Sequence, residues 1–432
     1  MTADDTTTAQ HADALAEYAT ELRTIDPDAP RDDLAAVGDR LAASRYVGLG
    51  EATHGTREFF QFKHRLLAHL VADRGVRAVA LEANFSEALA LDDYVVHGDG
   101  DPRDALDGVY FWTWNVESVL ALLEWLRAFN DDRPLEDRVR FLGVDAQYTA
   151  GPTQALTEFF ADADPEFLDA VREDLDAADD DGVPPQQDDG ADTRVAAADR
   201  VASRIRDRLD DRRDDYAAAT SERRVELARQ HCRVLAQAAD YKRHFPDDVD
   251  DTDDVTYARV RDEAMADNAE WVRAFTDTDC LPVWAHDAHV ARTGLRYGDG
   301  APSLGQHLAD RHGDDYHAVG FAFARGGFEA YDTAPDTETA LVEHVIDDPQ
   351  PDTIEAALDR LPLTAAVLDL RDAREDDRLA DWLADRPHFA TGAAYDRTSP
   401  GDCVDEYDYT AAFDALAYVA ETTRARPLDD SP

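Results

Sequence analysis

Gly48-Leu49-Gly50-Glu51-Ala52-Thr53-His54-Gly55-Thr56 begins inside an apolar run, residues 46–50, and passes directly into a carboxylate and an imidazole. A short apolar run bounded by glycine reads as a buried strand. The glycines let the chain turn sharply and come close to a ligand. Just downstream, over residues 57–72, Phe59, Phe62, Leu66, Leu67, Leu70 and Val71 hold the three-and-four spacing of one apolar helix face. Strand, charged turn and helix make the repeating unit of an open α/β sheet, whose binding crevice lies at the carboxyl ends of its strands.

The same unit recurs. Further strands are predicted over residues 78–81, 139–144, 281–285, 317–323 and 365–370, and a second amphipathic helix over 117–129, where Leu120, Leu123 and Leu126 share a face. The strand over 78–81 ends at Glu82, the next at Asp145, and that over 281–285 at His286, Asp287 and His289. The alternation predicts an α/β fold with a mostly parallel central sheet flanked by helices. Residues 152–277 break the rhythm, with long helices over 193–244 and 257–275 and no strand signal. Two Asp-rich stretches, 176–192 and 247–254, read as a flexible loop and a second acidic connector. The organisation expected is an α/β first half (1–150), a large helical insertion or lid (151–277) and an α/β second half (278–432).

Composition removes several function classes. Of 432 residues, 94 are acidic and 43 basic, for a net charge of −51, and Lys63 and Lys242 are the sole lysines. Such a surface repels a phosphate backbone and an anionic bilayer, so neither nucleic acid nor membrane is an expected partner. With 44% hydrophobic and 9% aromatic residues the chain can still build a core. Abundant carboxylates with almost no lysine suit concentrated salt, where screening shortens to about 3 Å at 1 M; the expectation is a haloadapted protein. Cys232, Cys280 and Cys403 form no CxxC unit and suggest neither a zinc knuckle nor a disulfide framework. The first 24 residues lack an apolar signal core and no run is long enough to span a bilayer, so a cytoplasmic location is expected. Oligomeric state carries no sequence signal.

Taken singly, a Glu or His after a strand is a cap or a satisfied structural residue, and Lys63 is a surface charge. Convergence of Glu51, His54, Glu82 and His286 at neighbouring strand ends instead suggests one site. There is no GxSxG nucleophile elbow, no HExxH helix and no phosphate-binding GxxxxGK[ST] loop. Tyr110, Phe111, Trp112 and Trp114 form an aromatic cluster that reads either as core or as the apolar wall of a pocket.

Gly50-Glu51-Ala52-Thr53-His54-Gly55-Thr56-Arg57-Glu58-Phe59 resembles the opening motif of the erythromycin esterase family. The likeness continues, in the family's order, through Leu81-Glu82-Ala83-Asn84, Leu142-Gly143-Val144-Asp145, Arg261-Asp262-Glu263-Ala264-Met265-Ala266-Asp267-Asn268, Trp284-Ala285-His286-Asp287-Ala288-His289, Ser303-Leu304-Gly305 and Phe413-Asp414-Ala415-Leu416. The family usually has Asn at the position of Asp287 and commonly Arg at that of Lys63. The resemblance implies hydrolysis of a small-molecule carboxylic ester or lactone. It makes His54 the general base toward water, with Glu51, Glu82 and His286 in the site. Lys63 would stabilise negative charge, and His289 would line the same cleft; from their own positions in the sequence, Lys63, His289, Asp145 and Trp114 are the candidates for substrate binding. No cofactor is required on this reading. Two alternatives use the same residues: a zinc or manganese hydrolase with Glu51, His54, Glu82, Asp145, His286 and His289 as ligands, and a non-catalytic small-molecule-binding relative.

Overall fold

The computed structural model describes residues 3–184, 187–188, 190–246, 256–295, 300–335, 337 and 339–428. Its strands are β1 (Ala19–Glu21), β2 (Tyr46–Leu49), β3 (Ala78–Asn84), β4 (Arg140–Asp145), β5 (Leu281–Trp284), β6 (Tyr316–Asp332), β7 (Ala340–Ile346), β8 (Ala365–Asp369), β9 (Arg386–Phe389), β10 (Ala394–Tyr395), β11 (Val404–Tyr407) and β12 (Ala415–Thr422). The central sheet runs β1-β8-β12-β6-β2-β5-β3-β4, with β7 and β10 also on β6, while β9 and β11 form a separate pair. From β12 to β4 every pairing is parallel; β8 and β1 add an antiparallel edge. The four strands that end in the charged motifs, β2, β5, β3 and β4, are neighbours in this order.

Strand alternation supplies two core faces. Val79 and Leu81 pack with Phe59, Phe62 and Leu66 of the helix Arg57–Arg74 on one side of the sheet. Ala78 and Ala80 pack with Met265, Ala269 and Val272 of the helix Thr256–Thr276 on the other. A sheet covered on both faces explains why these strands read as unbroken apolar runs. The strand expected over 317–323 continues to Asp332 as β6. Gly326, at φ 122°, does not end it; a Cβ there would lie 2.1 Å from the Thr422 carbonyl oxygen of β12, so the glycine lets the two strands stay paired.

Between Ala150 and Thr276 the described residues hold helices and no strand: Ala150–Ala163, Pro165–Ala178, Ala191–Asp211, Arg213–Ala219, Glu222–His244 and Thr256–Thr276. Leu156, Phe160, Val201, Ile205 and Leu235 give most of them a core of their own. The long helix expected over 193–244 is interrupted, and Ser221 caps its last segment by accepting from the Arg224 N–H. In the acidic stretch 176–192, Pro185, Gln186 and Asp189 lie outside the described residues, as does the connector over 247–254. The described part of the first stretch is anchored. Asp180 accepts the Thr149 and Ala150 N–H groups, and Lys242 reaches Asp180 at 3.1 Å and Asp188 at 3.2 Å, with all three side chains out of solvent. Among the described residues no helix is long and apolar enough to cross a membrane.

Candidate active site

The turn after β2 is built by close approach. The Gly50 N–H donates to the Val319 carbonyl, and a Cβ on Gly50 would lie 1.8 Å from Asp287 Oδ1. Only glycine lets this backbone pass so near the turn after β5. The Asp287 N–H donates to the Glu51 carbonyl, which locks the two motif turns together.

Glu51 is fully buried and its carboxylate is shared three ways. Oε1 lies 2.7 Å from His54 Nδ1, while Oε2 accepts from Lys63 Nζ at 2.5 Å and from Trp284 Nε1 at 2.7 Å. With Nδ1–H donated to Glu51, the His54 tautomer carries its lone pair on Nε2. That ring is 14% exposed and lines a cavity of about 480 Å³. Gly392 stands across from it; a Cβ there would be 3.8 Å from His54 Nε2. The His286 ring lies 5.0 Å from that of His54, centroid to centroid, and lines the same cavity. Its Nδ1 accepts the Ala288 N–H at 3.2 Å, so its proton sits on Nε2, a buried atom. Burial, with the rings of His54 and His289 beside it, holds His286 well below the usual imidazole range, so the ring is neutral.

Glu82, Arg261 and His289 form a second cluster in the cavity lining. Arg261 Nη2 donates at 2.7 Å to Glu82 Oε1 and at 2.7 Å to Asp145 Oδ2, and Glu82 Oε2 accepts the His286 backbone N–H at 2.9 Å. Burial opposes ionisation of Glu82, but the positive charges of His289 and Arg261, with the His286 backbone N–H, outweigh it and hold the carboxyl below the usual range. His289 Nδ1 donates to Asp262 at 2.8 Å and its Nε2 lies 3.3 Å from Glu82 Oε1. Burial lowers its basicity, and Asp262 and Glu82 more than restore it. Trp114, buried, donates its indole N–H to the Glu82 carbonyl and lines the cavity with Phe111 and Trp112.

The structure thus gathers His54, Glu82, His286, His289 and Trp114 around one cavity, with Glu51 directly behind His54. Two expected positions differ. Lys63 is sealed among the rings of Phe60, Trp284 and Phe321 and is absent from the cavity lining. Its apolar helix face carries it into the core, where Glu51 is its counter-ion. Asp145 also stands back from the cavity, behind Arg261. Asp287 turns away from His286: its carboxylate accepts the Phe321 N–H, with His388 Nε2 at 3.2 Å.

Arg261, Trp284 and Asp262 had no role assigned from sequence, although all three lie in the motif segments quoted above. The wall Ala390-Thr391-Gly392-Ala393 gave no sequence signal; it is set by the Thr391 N–H donating to the Ala52 carbonyl. Other motif residues are structural. Ser303 caps a helix, Asn268 bonds the Val144 carbonyl, and Asp414 accepts from Ala318 N–H, Arg292 and Arg371. Arg261 donates to Glu82 Oε1 and to both oxygens of Asp145, and among the described residues no three His, Cys, Asp or Glu side chains are grouped to hold a metal ion.

Comparison with known proteins agrees with this architecture. The chain is 24% identical over 386 residues to erythromycin esterase type II of Escherichia coli, covering 81% of this chain and 86% of that protein. A Bacillus cereus protein of known crystal structure superposes with a TM-score of 0.83 at 24% identity, covering 97% of this chain and 99% of that one. A mutant of the erythromycin esterase EreC in its open conformation superposes with a TM-score of 0.70 at 17% identity, over 95% and 99% of the two chains. The erythromycin esterase family profile matches residues 71–422, which include Glu82, Asp145, Arg261, His286 and His289 and begin after Glu51, His54 and Lys63. On that match, the chain belongs to the erythromycin esterase family and is a hydrolase of that family.

Proposed function

We propose that this hydrolase cleaves a carboxylic ester or lactone by direct attack of water, with His54 as general base and no metal. The observation that carries the reading is the His54 ring, tied through Nδ1 to Glu51 and turned by Nε2 toward a cavity of about 480 Å³. His54 Nε2 takes a proton from water as the oxygen attacks the carbonyl carbon. The carbonyl π pair moves onto oxygen, and the His286 ring, which lines the cavity, donates its Nε2–H to that oxyanion. As the intermediate collapses, the C–O bond to the leaving alkoxide breaks and protonated His54 returns its proton there. Glu51 holds the His54 tautomer and offsets the imidazolium formed in between, while Lys63 and Trp284 fix Glu51. Glu82, Arg261 and His289 position the His286 backbone and the cleft floor. Phe111, Trp112 and Trp114 offer an apolar wall to the substrate.

A panel of neutral esters and lactones, assayed in concentrated KCl before and after exhaustive EDTA treatment, tests the proposal. Turnover that survives EDTA supports it. Activity lost to the chelator and regained with zinc or manganese favours the metal alternative, and ligand binding without turnover favours a binding protein.

A further inference from the structure

The connection between β9 and β10 puts a residue without a side chain next to the proposed general base. The His54 ring meets His286 at 5.0 Å and Trp114 at 6.3 Å, centroid to centroid. Gly392 faces its Cδ2–Nε2 edge, away from the Nδ1 that meets Glu51. Given that His54 activates water as proposed above, we infer that Gly392 is a specificity-determining residue. It leaves the room in which an acyl group branched at the carbon next to the reacting carbonyl is seated.

Neither backbone conformation nor packing calls for glycine here. Gly392 lies outside the left-handed region that favours this residue, unlike Gly75, Gly98 and Gly326. A Cβ on Gly50, Gly55, Gly143 or Gly305 would strike an oxygen of Asp287, Glu329, Ala83 or Val290 respectively. The Cβ of a residue at 392 would instead lie 3.8 Å from His54 Cδ2 and Nε2. Beyond its two neighbours in the chain, no other described residue comes within 4 Å of it. A side chain at this position would therefore stand in the cavity.

The wall has no freedom to retreat from it. The Thr391 N–H donates to the Ala52 carbonyl at 2.8 Å, and the Ala393 carbonyl accepts the Tyr331 N–H of β6 at 2.9 Å. Gly392 is pinned between these bonds, one to the turn that carries His54 and one to the sheet. A methyl group added there takes its volume from the cavity.

The position relative to Nε2 selects the substrate group. Water on Nε2 sits at about 2.6–3.2 Å, and the carbonyl carbon it attacks lies about 3–3.5 Å further on. The leaving oxygen must also come within reach of Nε2 to recover the proton, so it shares the lone-pair direction with the water. The acyl substituent has no such tie and takes the flank, where Gly392 leaves space and Ala390 and Ala393 continue an apolar lining.

A hydrolysis series separates this role from the reaction itself. 4-Nitrophenyl acetate, propanoate and 2-methylpropanoate vary the acyl group, while ethyl and isopropyl acetates vary the alcohol. Each kcat/KM, measured in concentrated KCl, is divided by the rate constant of that ester with hydroxide. Wild type is expected to take the 2-methylpropanoate within about tenfold of the acetate. In Gly392→Ala the 2-methylpropanoate-to-acetate ratio should fall at least about tenfold, the scale of one methylene in a pocket, and further in Gly392→Val. The isopropyl-to-ethyl ratio should stay as in wild type. Such ratios do not depend on how much of a variant is folded. Gly401→Ala, exposed and outside the cavity lining, should keep the wild-type acyl ratio. An unshifted acyl ratio in Gly392→Ala overturns the inference while the hydrolytic reading stands, as does a shift confined to the alcohol pair. A wild-type enzyme that hydrolyses none of these esters overturns both.

Discussion

The Lys63 ammonium stands 2.5 Å from Oε2 of Glu51, inside the protein, on the carboxylate oxygen opposite the one that meets His54. Burial pushes Lys63 down to about 8, against the pull of Glu51, Asp287 and Glu82. Below that pH the ammonium is intact; above it the proton is lost and Glu51 keeps only neutral donors beside His54. The kcat/KM profile should therefore fall on an alkaline limb near pH 8. Arginine keeps its proton throughout this range, so Lys63→Arg should move the limb upward by more than one pH unit. An identical limb in both proteins would refute this role. Lys63→Met, which strands a buried carboxylate, should cost about 3–5 kcal/mol in urea unfolding.

His286 supplies the oxyanion donor in the proposed reaction. His286→Ala should lower kcat by about 10²–10³ with KM nearly unchanged, the usual effect of removing one such donor. Because burial keeps this imidazole neutral, the ratio of wild-type to variant kcat should stay flat from pH 6 to 9. A ratio that rises or falls steeply with pH would make His286 an acid or base instead.

A buried ion cluster behind the cleft sets a pH-dependent stability. His388 Nδ1 donates to Glu355 at 2.6 Å, Nε2 lies 3.2 Å from Asp287 Oδ2, and all three residues are buried. Burial works against the imidazolium, but Glu355 and Asp287 raise it to about 10 from an ordinary 6.5. The folded state thus binds a proton that the unfolded chain releases above 6.5. This contribution is complete below pH 6.5 and is lost as pH rises toward 10. Melting temperature should fall across that window in wild type and much less in His388→Gln, which should itself be destabilised by about 3–5 kcal/mol at pH 6.

Much of this was legible in the sequence because parallel strands buried on both faces announce themselves as apolar runs, and because site residues follow those runs directly. Glu51, His54, Glu82 and His286 could be read in this way. Lys63 could be found but reads as a surface charge when judged alone, although it stands four residues after Phe59 and three before Leu66, on the apolar face itself. Arg261 lies on the last helix of the insertion, and its reach across to Glu82 and Asp145 is a tertiary fact without local signature. The wall at Thr391 was invisible for a similar reason: it depends on a backbone bond to Ala52, and any residue can make one.

The net charge of −51 predicts a salt requirement. At low ionic strength self-repulsion of the carboxylates opposes the compact state, and added salt screens it. Far-ultraviolet circular dichroism should show the chain unfolding as KCl is dialysed from molar to millimolar levels and refolding on its return. A melting temperature indifferent to KCl would contradict haloadaptation.

Chemical rescue of His54→Ala tests the central claim most directly. With a turned-over ester in concentrated KCl, the variant should lose about 10²–10⁴ of kcat, the range for a general base, and free imidazole should restore part of it in proportion to its unprotonated fraction. A His54→Ala enzyme that hydrolyses the same ester at the wild-type rate would contradict the account.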